Sequence, residues 1–139
     1  MTQQTTSVDL ADARRIIGAG ELKAAELGVA STIAVVDVGG HLVAQARMDG
    51  AWIGSIAIAL DKAWTSRATD QATENLAGVA QSGDALFGLN TTNAGRPVIF
   101  GGGLPIRQDG HVIGAVGVSG GTVDEDVAVA RAALAGFAD

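Results

Sequence analysis

Between Ile99 and Gly121 the chain reads IFGGGLPIRQDGHVIGAVGVSGG, where eight of twenty-three residues are glycine and the glycines are interleaved with Ile, Leu and Val. So much bare backbone has three explanations: a phosphate-cradling loop, a glycine-kinked β-hairpin bordering a ligand pocket, or a flexible linker. A linker would not place LPI and VIGAVGVSG between its glycines. A Walker loop needs Gly-Lys-Ser/Thr after a four-residue spacer, and the nearest basic residue after GGG is Arg107, beyond Pro105 and inside a strand-like run. The helix that follows GGTVDED opens with acidic residues, which repel a pyrophosphate. The kinked hairpin remains, since glycine in a strand marks a bulge, a bend or the close approach of another backbone or a ligand. Gly101, Gly102 and Gly103 either aim bare N–H groups at an anion or carbonyl oxygen or pack the turn against a neighbouring subunit.

The flanking segments fix the class of fold. Ser7 is placed to cap a helix running to about Leu27, with Asp9 and Asp12 in its first turn and Gly28 as its stop. Leu10, Ala13, Ile17, Gly20, Ala24 and Leu27 share one face at helical spacing. Residues 31–50 read as strand, glycine turn and strand. WIGSIAIALDKAWTSRA, from Trp52 to Ala68, predicts a helix with Ile53, Ile56, Ala57, Leu60 and Trp64 on its buried stripe and with Asp61, Lys62 and Thr65 at the border. A shorter helix is expected over Thr73–Ala80. An irregular connection spans Gln81–Arg96, and Thr122 with Glu125 has capping-box spacing for a last helix. This order suits an antiparallel sheet carrying helices rather than a doubly wound parallel sheet.

At 139 residues the chain is expected to form a single domain, with residues 1–7 a loose tail. Aromatic residues make up 4% against 47% hydrophobic, so the core is built from Ala, Val, Ile and Leu, and such a lean core favours self-association. A net charge of −6 has the wrong sign for a nucleic-acid binder. The absence of cysteine excludes disulfides, thiolate catalysis and zinc-thiolate sites. With no apolar run of membrane-spanning length and no leader pattern, the expectation is a cytoplasmic protein, secreted only if a leader has been removed.

The chemistry-bearing residues are few. His41 and His111 each follow a glycine turn; either is a solvated turn residue, a general base or a haem ligand, and Met48 is the other familiar haem ligand available. No pair of histidines has metal-binding spacing, so no metal site is expected. Arg47 is suited to fork onto a ligand carboxylate or onto its own neighbourhood, and Asp49 to cap the following helix. Lys62, beside Ala63 and Trp64, is either a snorkelling border lysine or a desolvated base or Schiff-base former.

The ordered set VVDVGGHLVAQARMDGAWIGSIAIALDKAWTS, FGGGLPI and GHVIGAVGVSGGTVDEDVAVA resembles the family of glycolate-utilisation protein G and haem-binding protein S, related also to the C-terminal domain of the propanediol-utilisation corrinoid adenosyltransferase. The likeness runs from about Leu10 to Phe137. It implies an α/β, profilin-like sandwich with a mostly antiparallel sheet of about five strands and helices on both faces. It also implies a homodimer or larger assembly. Asp37, Gly40, His41, Arg47, Asp49, Lys62, Gly102, Gly103, Pro105, Gly110, Gly114, Gly117, Ser119 and Gly120 fall on its shared motifs, as does Asp126 on a commonly acidic position, while Glu125 replaces a frequent Gln. The expected function is that of a small oligomeric protein binding haem or a compact organic ligand in a bacterial catabolic or redox setting. Ligand contacts are expected from Arg47, Gly101, Gly102, Gly103 and His111. The alternative is an isomerase, hydratase or lyase moving a proton on a small carbonyl or hydroxy acid. There Arg47 would hold the carboxylate, His41, Asp49 or Lys62 would move the proton, and the Gly101–Gly103 amides would stabilise an enolate-like oxygen.

Overall fold

The computed structural model describes residues 1–137. Its elements run α1 (Leu10–Leu27), β1 (Thr32–Val36), β2 (Leu42–Arg47), α2 (Ser55–Thr69), α3 (Thr73–Ala77), two short 3-10 turns, β3 (Gly103–Gln108), β4 (His111–Ser119) and α4 (Val123–Ala135). The strands form one antiparallel sheet in the order β2-β1-β4-β3. Four strands are present among the described residues where about five were expected. Ahead of β3, Pro97 has no N–H to donate and Val98 N–H donates to Thr65 Oγ1 on α2 rather than to a strand.

Strand alternation sends the two faces of the sheet to different helices. Ile33, Val35, Ile106, Val116 and Val118 meet Ile16, Ile17, Val129 and Ala133 of α1 and α4 in the main core. On the other face, Val36 and Ala115 meet Ala63 and Leu60 of α2. No helix of the described residues is long and apolar enough to cross a membrane.

Local chemistry accounts for the boundaries. Gly28 ends α1 in the left-handed region at φ 72°. The capping residue of α1 is Asp9, paired reciprocally with Asp12, and not Ser7 as its spacing had suggested. The Ser7 hydroxyl is engaged elsewhere, accepting from Val38 N–H at 3.0 Å. Val8, whose N–H donates to Ile113 O, is buried in the main core. Thr122 and Glu125 form the expected capping box of α4.

The larger departure is in α2. Its buried residues are Ser55, Ala59, Lys62, Ala63, Thr65 and Ser66, whereas Trp52, Ile53 and Ile56 are exposed. The cause lies under it. Gly117 of β4 faces the helix so closely that a Cβ there would overlap Ala59 O and sit 2.5 Å from Ala63 N. Only small side chains fit that separation, so α2 turns its Ser/Ala face inward and leaves Ile56 outward, with Trp52 and Ile53 exposed in the turn that precedes it. Alternate small residues in β4 (Ala115, Gly117, Ser119) are the sequence signature of this close contact.

Candidate functional site

Two constellations lie at opposite ends of β4. The first is a buried polar cluster on the Val118 side. Lys62 Nζ donates to Val118 O at 2.9 Å and to Asp126 Oδ2 at 3.0 Å, while Asp126 Oδ1 accepts from Gly121 N–H at 3.0 Å. Lys62 is fully buried and Asp126 nearly so. The Lys62 ammonium also lies 5.0 Å from the centroid of the Phe100 ring. Burial pushes the Lys62 ammonium below the usual lysine range, with Asp126 opposing the shift. Burial likewise pushes the Asp126 carboxyl up, opposed by the Gly121 N–H and by Lys62.

Over this pair runs the Gly101–Gly103 segment. Gly102 has φ +125°, and a Cβ there would lie 2.7 Å from Val118 O and 2.8 Å from Lys62 Nζ. The backbone must therefore be bare for the amine to reach its partners. Gly103 N–H donates to Thr73 Oγ1 at 2.9 Å, and Gly102 O accepts from Val118 N–H. Ser66 Oγ is buried beside Gly103 without a hydrogen-bond partner.

The second constellation is a cavity of about 420 Å³ at the β3–β4 turn, within the size range of small-molecule sites. Gln4, Thr5 and Thr6 of the N-terminal segment form one wall; Arg67 and His111 lie in the lining together with the apolar Val38 and Ile113. His111 is exposed. Arg67 is fixed from two sides, its Nε donating to Val38 O and its Nη1 to Asp70 Oδ1, each at 2.5 Å. By the rise of a strand, this cavity and the Lys62 cluster are separated by roughly 20 Å.

The structure brings Lys62 together with Gly102 and Gly103, sets Gly101 against Val123, Val127 and Glu74 instead, and places His111 in the cavity. Arg47 ends β2 at the sheet edge and Asp49 lies in the following turn, both exposed; among the described residues neither hydrogen-bonds or ion-pairs with Lys62. His41 sits in the β1–β2 turn with its side chain 84% exposed and Nδ1 3.5 Å from Asp37 Oδ1. Asp126 as the partner of Lys62 was not legible, because 64 positions separate them. Arg67 carried no local signal either.

The family model described as "Haem degrading protein HbpS-like" matches residues 8–135. A 15.0 kDa protein encoded between dhaT and dhaS of Citrobacter freundii is 45% identical over 138 residues, covering 99% of this chain and 97% of that protein. The crystal structure of protein ORFY from Klebsiella pneumoniae superposes with a TM-score of 0.97 at 44% identity, over 99% of this chain and 94% of that one. The crystal structure of the PduOC–haem complex superposes with a TM-score of 0.90 at 36% identity, over 93% and 94% of the two chains.

Proposed function

This chain belongs to the haem degrading protein HbpS-like family, and from that premise we propose that it is a small ligand-binding protein whose ligand is haem or a compact organic molecule. The observation that carries the reading is His111 in the wall of the cavity beside Arg67, in a chain that shares its fold with a protein crystallised with haem. The residues there fit such a group: an exposed imidazole able to ligate iron, apolar Val38 and Ile113 for a macrocycle, and one guanidinium. Bound haem would supply redox chemistry; His111 would hold its iron through a ring nitrogen, and Arg67, Val38 and Ile113 would line it. In this reading the fold is the profilin-like sandwich that the sequence resemblance implies. The protein works as a homo-oligomer in a bacterial catabolic or redox setting, with the exposed Trp52, Ile53 and Ile56 at the entrance to α2 supporting self-association.

A haemin titration followed in the ultraviolet–visible spectrum tests this, comparing wild type with His41→Ala and His111→Ala. A saturable Soret shift that is lost in His111→Ala and retained in His41→Ala is the expected result. A featureless titration, or a shift that survives His111→Ala, overturns the assignment of the cavity.

A second reading, proton transfer on a small carbonyl compound, rests on the buried Lys62–Asp126 pair, in which burial favours the neutral amine. Of the glycine amides invoked for it, that of Gly103 is already engaged by Thr73. Exchange of the α-hydrogen of a small carbonyl acid in deuterated water, followed by nuclear magnetic resonance, reads this directly: exchange catalysed by the protein and lost on substitution of Lys62 supports it, and the absence of catalysed exchange counts against it.

A further inference from the structure

Arg67 belongs to the cavity wall, yet two of its three nitrogens are spoken for. Nε is held by Val38 O and Nη1 by Asp70 Oδ1, while Nη2 has no hydrogen-bond partner among the described residues. A guanidinium clamped in this way is already oriented, so little side-chain freedom is lost when its remaining edge takes up a ligand. Its side chain is about one quarter exposed, which leaves it reachable but partly shielded from water. The neighbouring polar groups in the wall are mainly neutral, from Gln4, Thr5, Thr6 and Gln108, with Asp109 the acidic residue among them. Asp70, which fixes Arg67, is not part of that wall.

We propose that Arg67 is the carboxylate anchor of this cavity, so that the site selects ligands with an acidic group at one end and an apolar, His111-facing body at the other. The inference rests on the reading of the cavity as the ligand site and adds the chemical class that it accepts. Arg67 then contributes binding and orientation, while His111 contributes ligation. A carboxylate on a pre-oriented guanidinium makes a charge-assisted hydrogen bond, the strongest kind this wall offers. A ligand of the same shape without its acid groups forfeits that bond.

The test pairs haemin with haemin dimethyl ester, which keeps the iron and the macrocycle and lacks free carboxylates. Titrations of the wild type, Arg67→Lys, Arg67→Gln and His111→Ala are read by the Soret shift. The ester is expected to bind wild type about tenfold or more weakly than haemin does, and Arg67→Gln to weaken haemin by a similar factor while leaving the ester unchanged. Arg67→Lys should fall between, retaining the charge without the pre-oriented Nη2 donor. If haemin and its ester bind wild type equally, with a shift that His111→Ala abolishes, the cavity is the site and Arg67 is not its anchor. If haemin gives no saturable shift, or one indifferent to His111→Ala, the underlying reading fails and the inference with it. Should Arg67→Gln fail to fold, the comparison of the two ligands on wild type decides alone.

Discussion

Lys62 and Asp126, 64 residues apart in the chain, meet at 3.0 Å where α2, β4 and the start of α4 converge, and both are withdrawn from water. A buried pair of this kind gives little net stability over an apolar replacement, yet losing one member leaves a charge stranded. Lys62→Met should therefore cost about 3–5 kcal/mol, and Lys62→Met combined with Asp126→Leu should recover much of it. Urea unfolding of the two variants and wild type measures this; equal destabilisation by the single and double changes would show that stranding the Asp126 carboxyl carries no cost of its own.

The same stranded carboxyl sets a pH dependence. Asp126 is raised above its ordinary value by burial, and removing Lys62 removes one of the influences that lower it. A raised folded-state value means that its stability contribution is full below the unfolded value, near pH 3.8, and is lost as pH rises through the folded one. The gap in unfolding free energy between Lys62→Met and Lys62→Met/Asp126→Leu should thus narrow on acidification from pH 7. A gap that stays constant across that range would mean Asp126 does not titrate as a buried acid.

The glycines divide into those that the packing demands and those it does not. Gly117→Ala would drive a methyl group into the backbone of α2 and should destabilise by about 3 kcal/mol or prevent folding. Gly18 is interior to α1 with nothing within 4 Å of where its Cβ would be, so Gly18→Ala should stabilise by about 0.5–1 kcal/mol. Thermal unfolding of the two variants should move in opposite directions.

Trp52 and Ile53 are 51% and 79% exposed and stand at the entrance to α2 beside the exposed Ile56. Ile53→Glu should reduce the molar mass found by light scattering in solution and leave the circular dichroism unchanged. A wild-type mass equal to that of one chain would overturn the proposed self-association, and a larger mass unaffected by this substitution would place its surface elsewhere.

Much of this architecture was legible from local chemistry. Gly28, the Thr122–Glu125 box and both hairpin turns follow from residues that sit within a few positions of one another. The glycine-rich hairpin turned out to need its bare backbone, with Gly110 in the turn at φ 80° and Gly117 against α2. The rotation of α2 was not legible from its own sequence. Helical spacing identifies an apolar stripe, but which stripe is buried depends on how close the opposing sheet lies, and that was encoded in β4. For the same reason Lys62 looked like a border residue although it is sealed inside. The gathering of Arg67, His111 and the N-terminal wall joins three distant stretches, and no spacing within any one of them announces it.

The exposed apolar group at the entrance to α2 carries a consequence for how this chain behaves in dilute solution. Under the self-association proposed above, the exposed Trp52, Ile53 and Ile56 would complete their burial against a second molecule, so assembly and folding would draw on the same free energy. Protein concentration then becomes a variable of the melting curve: the midpoint climbs as the sample is made more concentrated, and dilution acts as a mild denaturant.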